Sequence, residues 1–299
     1  MVHSRTYSTE ALCLKAKPYS DSSLLVSWLS PEIGLISGMA KGARKANSRL
    51  VAGCQPLHRG TGHFVKGRNL DVLTQWDSQG GFSQVSMHLA GGALSACLIE
   101  STLRLAGGHE SIEAGSLFHP LVETLAHLQE GCDPQAVVYN DAFASVTLAL
   151  LAQTVAGHLE LLDAAGHGIQ LTTCVLTDKL LPMDLPEQAL IAVSFAQGGV
   201  LHPVHAAGQP YSLRMTVPTW RVLLNPLEPS VWYQHAQPLA PLRLMVTAVA
   251  MIMERSVESP ALSVALPLLE ASLDGERLDG EVLEVGKRAS NPSPRTVLQ

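Results

Sequence analysis

Charge and aromatic rings are both scarce in this chain of 299 residues: 15% of positions are Asp, Glu, Lys or Arg and 5% are Phe, Trp or Tyr, against 46% hydrophobic. That balance excludes a wholly disordered polymer and leaves the class of ordinary globular proteins. Cysteine is thin as well, with Cys13, Cys54, Cys97, Cys132 and Cys174 scattered singly, so a disulfide framework is excluded and a reducing compartment is expected. The first ten residues lack the apolar run of a secretory signal, and no Asn-x-Ser/Thr sequon with a permitted middle residue occurs. Long apolar stretches such as Leu242 to Met253 fall short of the ~20 residues that a membrane span requires, so neither a span nor membrane binding is expected. Together these absences point to a cytoplasmic protein.

Catalytic signatures are missing too. No Gly-rich loop ends in Gly-Lys-Ser/Thr, and neither Gly-x-Gly-x-x-Gly nor Gly-x-Ser-x-Gly occurs. The pair His109-Glu110 lacks a second histidine at helical spacing and reads as a solvated loop beside Gly107-Gly108. No enzyme and no cofactor are expected.

What is present is unevenly distributed. Residues 1–80 carry ten Lys/Arg against five Asp/Glu, a net of +5, and residues 81–299 carry ten against twenty-one, a net of −11. Opposite fields of this kind survive within one molecule at screening lengths of ~8 Å, and a basic first third suits a polyanion.

The hydrophobic period changes at the same place. Up to Trp76 the segments are short, broken by Gly, Ser, Pro and Asp, and alternate with period two. Leu24–Leu29 and Leu35–Ala40 read as strands, and a third places Leu70, Val72, Thr74 and Trp76 on one side with Asp71, Leu73 and Gln75 on the other. The run Lys66-Gly67-Arg68-Asn69 before it reads as a hairpin tip. About five strands in this length predict a small closed barrel, which removes exposed edges. Beyond residue 85 the period is helical: Leu148, Leu151, Val155, Leu159 and Leu162 stripe a helix starting near Asp141 and ending at Gly166 and Gly168, and Leu242, Met245, Val249 and Ile252 stripe another. The predicted fold is therefore α+β and multidomain: a barrel over 1–80, a mainly helical domain over 81–272 with an irregular insert at about 170–240, and a disordered tail over 273–299. Proteolysis between 76 and 90 should release stable parts unless a large apolar interface locks them together.

The segment Ala40-Lys41-Gly42-Ala43-Arg44-Lys45-Ala46-Asn47-Ser48-Arg49 holds four cations within nine residues. Small residues between them let Lys41, Arg44, Lys45 and Arg49 approach phosphates, and Asn47 and Ser48 add neutral donors. Lys66 and Arg68, and Lys15 and Lys17, could extend this patch. Of the barrel aromatics, Tyr19, Trp28, Phe64 and Trp76 are each expected in the core rather than under a nucleic-acid base.

These residues carry a resemblance. Thr9-Glu10-Ala11, Leu14-Lys15, Tyr19, Asp21, Leu24-Leu25-Val26, Gly34, Ala40-Lys41-Gly42-Ala43-Arg44, Ser48-Arg49 and Gln55-Pro56-Leu57 are similar, in order and spacing, to the N-terminal domain of the bacterial DNA repair protein family RecO. The similarity continues through Gly67-Arg68-Asn69-Leu70, Leu161-Leu162-Asp163-Ala164-Ala165-Gly166-His167, Leu171, Cys174 and Gly198-Gly199-Val200-Leu201. The resemblance implies an OB-fold barrel, binding to single- and double-stranded DNA, annealing of complementary strands, and help in loading recombinase on DNA coated with single-strand-binding protein. It implies RecR and that protein as partners, with RecF and RecA as further ones, at the bacterial nucleoid.

Many members of that family carry two Cys-x-x-Cys pairs suited to tetrahedral zinc. Here the first reads Cys174-Val175-Leu176-Thr177 and the second His202-Pro203-Val204-His205, so the ligand set is one short unless Asp178 moves into the gap. A metal-free insert with Val193, Phe195, Val200 and Leu201 as its core is expected. Two other readings compete with DNA binding: a protein-interaction scaffold whose acidic helical part does the work, and a hydrolase built on zinc at Cys174, His202 and His205 with Asp178 or Asp184 as base.

Overall fold

The computed structural model describes residues 5–107, 115–133, 145–206, 208, 212–233, 235–253 and 258–289. Five strands open the chain: β1 (Thr6–Pro18), β2 (Leu24–Ser30), β3 (Gly34–Ala40), β4 (His58–Val65) and β5 (Asp71–Gly81). They close into a barrel in the order β1-β2-β3-β5-β4, antiparallel except where β5 runs parallel to β3. The expected small barrel is thus present, and closure pairs the edges a short open sheet would expose.

Alternation fills it. Ala11 and Cys13 of β1, Val26 and Trp28 of β2, and Ile36 of β3 join Phe64, Leu73 and Trp76 in one buried cluster. Trp28 and Phe64 meet edge to face, with centroids 5.2 Å apart and planes at 72°, as the ring quadrupoles favour. The Trp28 indole N–H donates to the Gly53 carbonyl at 2.6 Å, so the buried ring leaves no donor unpaired.

The side assignment of β5 needs correction. Leu73 and Trp76 are both buried while Thr74 and Gln75 are exposed. The register explains this: Phe64 pairs with Leu73 and His63 with Gln75, so Thr74 is an extra residue with no partner on β4. A bulge of one residue reverses the parity of everything beyond it, and strict alternation therefore put Leu73 on the wrong side.

Helices follow β5, close to the expected boundary: α1 (Ser83–Met87), α2 (Leu89–Ala106), α3 (Phe118–Gly131) and α4 (Val146–Ala164). The Ser145 hydroxyl accepts from the Leu148 amide at 3.0 Å and starts α4. The earlier start expected near residue 141 lies outside the described residues, as does the pair at 109–110. Leu151, Val155 and Leu162 are fully buried as their spacing predicts, and so are Leu150, Ala152 and Leu161, which makes α4 a central helix enclosed on several sides. Gly166 ends it with φ +76°. Helix α2 corrects the reading of apolar length: at a mean hydropathy of 1.2 over 18 residues, it is the one described helix long and apolar enough to cross a membrane. Here it packs between α4 and the later helices, with 56% of that window buried.

The insert carries β6 (Leu190–Ser194), β7 (Gly199–Leu201) and β8 (Ser212–Thr216) in a three-stranded sheet of order β7-β6-β8, with Val193, Val200 and Leu201 buried. It is less irregular than expected, because α5 (Val217–Leu224) and α6 (Ser230–Tyr233) follow. Single tryptophans anchor these short helices. The Trp220 indole donates to the Leu171 carbonyl at 2.8 Å and the Trp232 indole to that of Pro226 at 2.7 Å, and at eight and four residues the helices are too short for a long apolar stripe.

Helix α7 (Ala240–Ile252) buries Leu242, Met245 and Val249 as predicted. Helix α8 (Pro260–Ala289) is a further correction, since it runs into the stretch expected to be disordered. Leu269 and Leu273 are buried and tie it to the core; residues 290–299 lie outside the described residues.

The two regions share apolar surface. Leu12, Leu14, Leu29 and Leu57 of the barrel belong to the same buried cluster as the helices, so along Ala11–Leu14 strand β1 is covered on both faces.

Candidate nucleic-acid interface

Register places the basic residues. Pro18 pairs with Leu24, and Leu24 with Ala40, so the ends of β1 and β3 and the start of β2 stand in one row. The next residue out on each, Tyr19, Ser23 and Lys41, leaves the barrel at the same end. The turn between β1 and β2 is closed by the Tyr19 and Ser20 amides, both donating to the Ser23 carbonyl at 3.1 and 3.4 Å. Arg44 clamps onto this turn from the segment after β3: its amide donates to the Ser22 carbonyl at 3.0 Å and its guanidinium to that of Ser20 at 2.8 Å. Gly42 makes the clamp reachable by turning the chain at φ +72°, in the left-handed region that side chains disfavour. Ala43 is buried and pins the loop, leaving Lys41, Arg44, Lys45 and Arg49 exposed.

Lys15 and Lys17 join this end. Lys15 pairs with Ser27, which pairs with Ser37; Lys17 pairs with Leu25, which pairs with Met39. These residues form an outward face on β1, β2 and β3, made of small hydroxyls and half-buried aliphatics beside two exposed ammonium groups.

Lys66 and Arg68 lie elsewhere. The β4–β5 hairpin departs where Asp71 pairs with Gly38, and β5 runs parallel to β3. Its tip therefore lies across the β2–β3 face from the Lys41 loop rather than extending it. Lys66 stands over the Tyr7 ring at 5.9 Å from its centroid. The Tyr7 hydroxyl donates to Asp71, and burial together with that carboxylate raises its pKa. Among the described residues, Lys15, Lys17, Lys41, Lys45, Arg49 and Arg68 have no ion-pair partner, whereas Arg59 is paired with Glu10 and Arg104 with Glu100.

Of the aromatics, Trp28, Phe64 and Trp76 are buried as expected, but Tyr19 is 60% exposed. The sequence held a signal for this: Tyr19 lies in Pro18-Tyr19-Ser20-Asp21-Ser22-Ser23, a run of turn formers with no alternation to carry a ring inward.

Two other polar groupings have limited chemistry. On the outer face of β1, β4 and β5, the Ser8 hydroxyl meets His63 Nδ1 at 2.7 Å and His63 Nε2 meets Asp77 at 2.8 Å. Hydrogen bonds from Gln75 and then His63 lower the Asp77 pKa. The row lies on an exposed sheet whose amides are committed to the ladder, so no donors converge on a developing oxyanion. In the insert, the Cys174 sulfur accepts from the His202 amide at 3.4 Å, and the His202 and His205 ring centroids are 6.3 Å apart. Among the described residues no three His, Cys, Asp or Glu side chains are grouped to hold a metal.

Residues 2–82 match the family model described as "Recombination protein O N terminal". Three curated relatives are each named "DNA repair protein RecO". The one from Heliobacterium modesticaldum is 30% identical over 171 residues, 57% of this chain and 55% of that protein, so the alignment spans about half that relative's length. The one from Nostoc sp. is 28% identical over 257 residues, 78% of this chain and 82% of the relative. The one from Nostoc punctiforme is 28% identical over 290 residues, 96% and 87% respectively. The resemblance read from the basic loop and its flanking strands therefore holds: the barrel matches the Recombination protein O N-terminal model, and the chain is similar over most of its length to DNA repair proteins named RecO.

Proposed function

We propose that the chain is a non-enzymatic DNA-binding mediator of repair and homologous recombination. In this reading it binds single- and double-stranded DNA through an OB-fold barrel, anneals complementary strands and helps load recombinase on DNA coated with single-strand-binding protein. One observation carries it: exposed cations without carboxylate partners among the described residues flank the β2–β3 face from both ends, Lys15, Lys17, Lys41, Arg44, Lys45 and Arg49 on one side and Lys66 and Arg68 on the other. In OB-folds that face and its bordering loops take up oligonucleotides. RecR, single-strand-binding protein, RecF and RecA, and a place at the nucleoid, rest on the family resemblance. The same reading needs no ATP, since the chain has no phosphate-cradling loop.

The competing reading, a scaffold without significant DNA binding, draws on the acidic remainder of the chain, with its net of −11. Titration of labelled single-stranded DNA at 50 and 200 mM salt separates the two. Affinity that falls steeply with salt supports the mediator; no measurable binding at the lower salt would leave the scaffold.

A further inference from the structure

We infer that Tyr19 is a stacking platform for one unpaired base, and that it is what makes this barrel prefer single-stranded over double-stranded DNA. The inference rests on the DNA-binding reading above and names the class of substrate for which the site is built.

Three observations lead to it. Among the described barrel residues, Tyr19 is the one aromatic that is mostly exposed; Trp28, Phe64 and Trp76 are buried, and Tyr7 is stacked on Phe64 with centroids 5.2 Å apart. A lone exposed ring is ordinary on a protein surface, so it is the setting of Tyr19 that gives it a use. The ring is also held in place at its base. Pro18 fixes the preceding backbone, the Tyr19 amide is bonded to Ser23, and Arg44 locks the carbonyls of Ser20 and Ser22. A rigid base lowers the entropy lost when a partner settles on the ring.

The third observation is the charge pattern around the turn. Lys17 precedes it, and Lys41, Arg44 and Lys45 lie beside it, while Asp21 is exposed within it. Cations to either side attract the phosphates of a passing strand. The Asp21 carboxylate repels phosphate from the tip itself and tolerates a neutral base, whose amino groups can donate to it. Phosphates on the flanks with a base at the tip is the arrangement of a single strand bound by stacking. A duplex keeps its base faces covered by their neighbours, so it can use the cations but not the ring.

The test is a comparison of Tyr19→Ala, Tyr19→Phe and Tyr19→Leu with the parent protein on three probes: single-stranded DNA, the same strand with abasic sites throughout, and duplex. Removing a base stack should weaken single-strand affinity by about fivefold to a hundredfold. Tyr19→Ala and Tyr19→Leu are expected to show that loss, Tyr19→Phe to retain parental affinity, and duplex affinity to change less than twofold. On abasic DNA all four proteins should bind alike. The slope of log affinity against log salt should be unchanged, because no phosphate contact is lost. Parental single-strand affinity in Tyr19→Ala, or equal losses on single strand, abasic strand and duplex, overturns the inference. Should Tyr19→Ala fail to fold, Tyr19→Leu and the parent's own ratio between normal and abasic strands still decide it. Failure of the DNA-binding reading looks different: the parent protein itself then shows no salt-dependent binding to any probe.

Discussion

The guanidinium of Arg44 donates to the main-chain carbonyl of Ser20, twenty-four residues earlier, at 2.8 Å. The side chain thus both carries charge and shapes the turn between β1 and β2. The side chains of Lys41, Lys45 and Arg49, on the same loop, make no hydrogen bond or ion pair among the described residues.

That difference predicts two kinds of loss. Replacing Lys41, Lys45 and Arg49 together by Ala should flatten the salt slope for single-stranded DNA by about two, at roughly 0.7 per phosphate contact, and leave the melting temperature unchanged. Arg44→Ala should lower the melting temperature as well, because it frees the Ser20 carbonyl, and Arg44→Lys should restore charge without restoring the turn. Salt-dependent titrations paired with thermal melts check both. A triple variant with the parental slope would show the loop to be merely solvated.

A second prediction concerns acid. Burial lowers the pKa of His158 from 6.5 to about 4, against a smaller opposing effect of its hydrogen bond to the Thr154 carbonyl. Its Nε2 accepts from the Ser101 hydroxyl at 3.0 Å if Nδ1 carries the proton. Below pH 6.5 the unfolded chain takes up a proton that the folded one refuses, so stability is full above about 6.5 and falls as the pH drops towards 4. At 1.36 kcal/mol per unit the loss from this one group is about 3 kcal/mol. His158→Gln should be less stable at pH 7 yet lose less between pH 7 and 4, as read by denaturant melts; an identical loss in both proteins would count against the assignment.

Backbone proximity gives a third. A Cβ on Gly38 would lie 2.5 Å from the Asp71 carbonyl oxygen and 2.9 Å from the Trp28 ring. The parallel pairing of β3 with β5 that closes the barrel leaves no room for it. Gly38→Ala should cost on the order of 1–3 kcal/mol, the range for overpacked interiors, and should broaden near-ultraviolet signals from Trp28. A parental midpoint in urea would refute the close approach.

Thiol chemistry supplies a fourth. Burial pushes the Cys54 and Cys97 thiols up to about 12 and Cys132 up to about 11, the Glu100 charge adding to the effect at Cys97, and burial raises Cys13 further. At Cys174 burial also raises the pKa, but hydrogen bonds from the His202, Leu176 and Thr177 amides and the Thr177 hydroxyl outweigh it and leave a net lowering. All five cysteines are buried, so iodoacetamide at pH 8 should reach each only through local opening, and Cys174, whose pKa is lowered, should label ahead of the other four. Mass spectrometry of a labelling time course decides the order.

Legibility in the sequence followed the physics of each element. The alternation in β2 and β3 was readable because one periodic face meets one core, and the stripes in α4 and α7 because core residues recur there at helical spacing, although both helices are buried on other faces as well. Leu73 was misplaced because a bulge at Thr74 breaks the period that a strand assignment assumes. The α5 and α6 helices were hidden because, at eight and four residues, they are too short to show a helical period. The basic loop was visible as composition. Its relation to Lys66 and Arg68 was not, since which end of a barrel a loop occupies depends on the β3–β5 pairing, a contact between residues as far apart in sequence as Gly38 and Asp71 that no local pattern encodes.

Strand β1 bears Ala11 and Cys13 on one side and Leu12 and Leu14 on the other, and water reaches neither. A protease nick near Gly80-Gly81 would therefore sever the chain without parting the molecule, and the two pieces should travel through a sizing column as a single particle. A barrel produced alone would expose a greasy flank of Leu12, Leu14, Leu29 and Leu57 and clump. The barrel of this protein is thus not a portable cassette: anything that loosens the helical body reaches, through four leucines, the strand whose last residue sets Tyr19 in place.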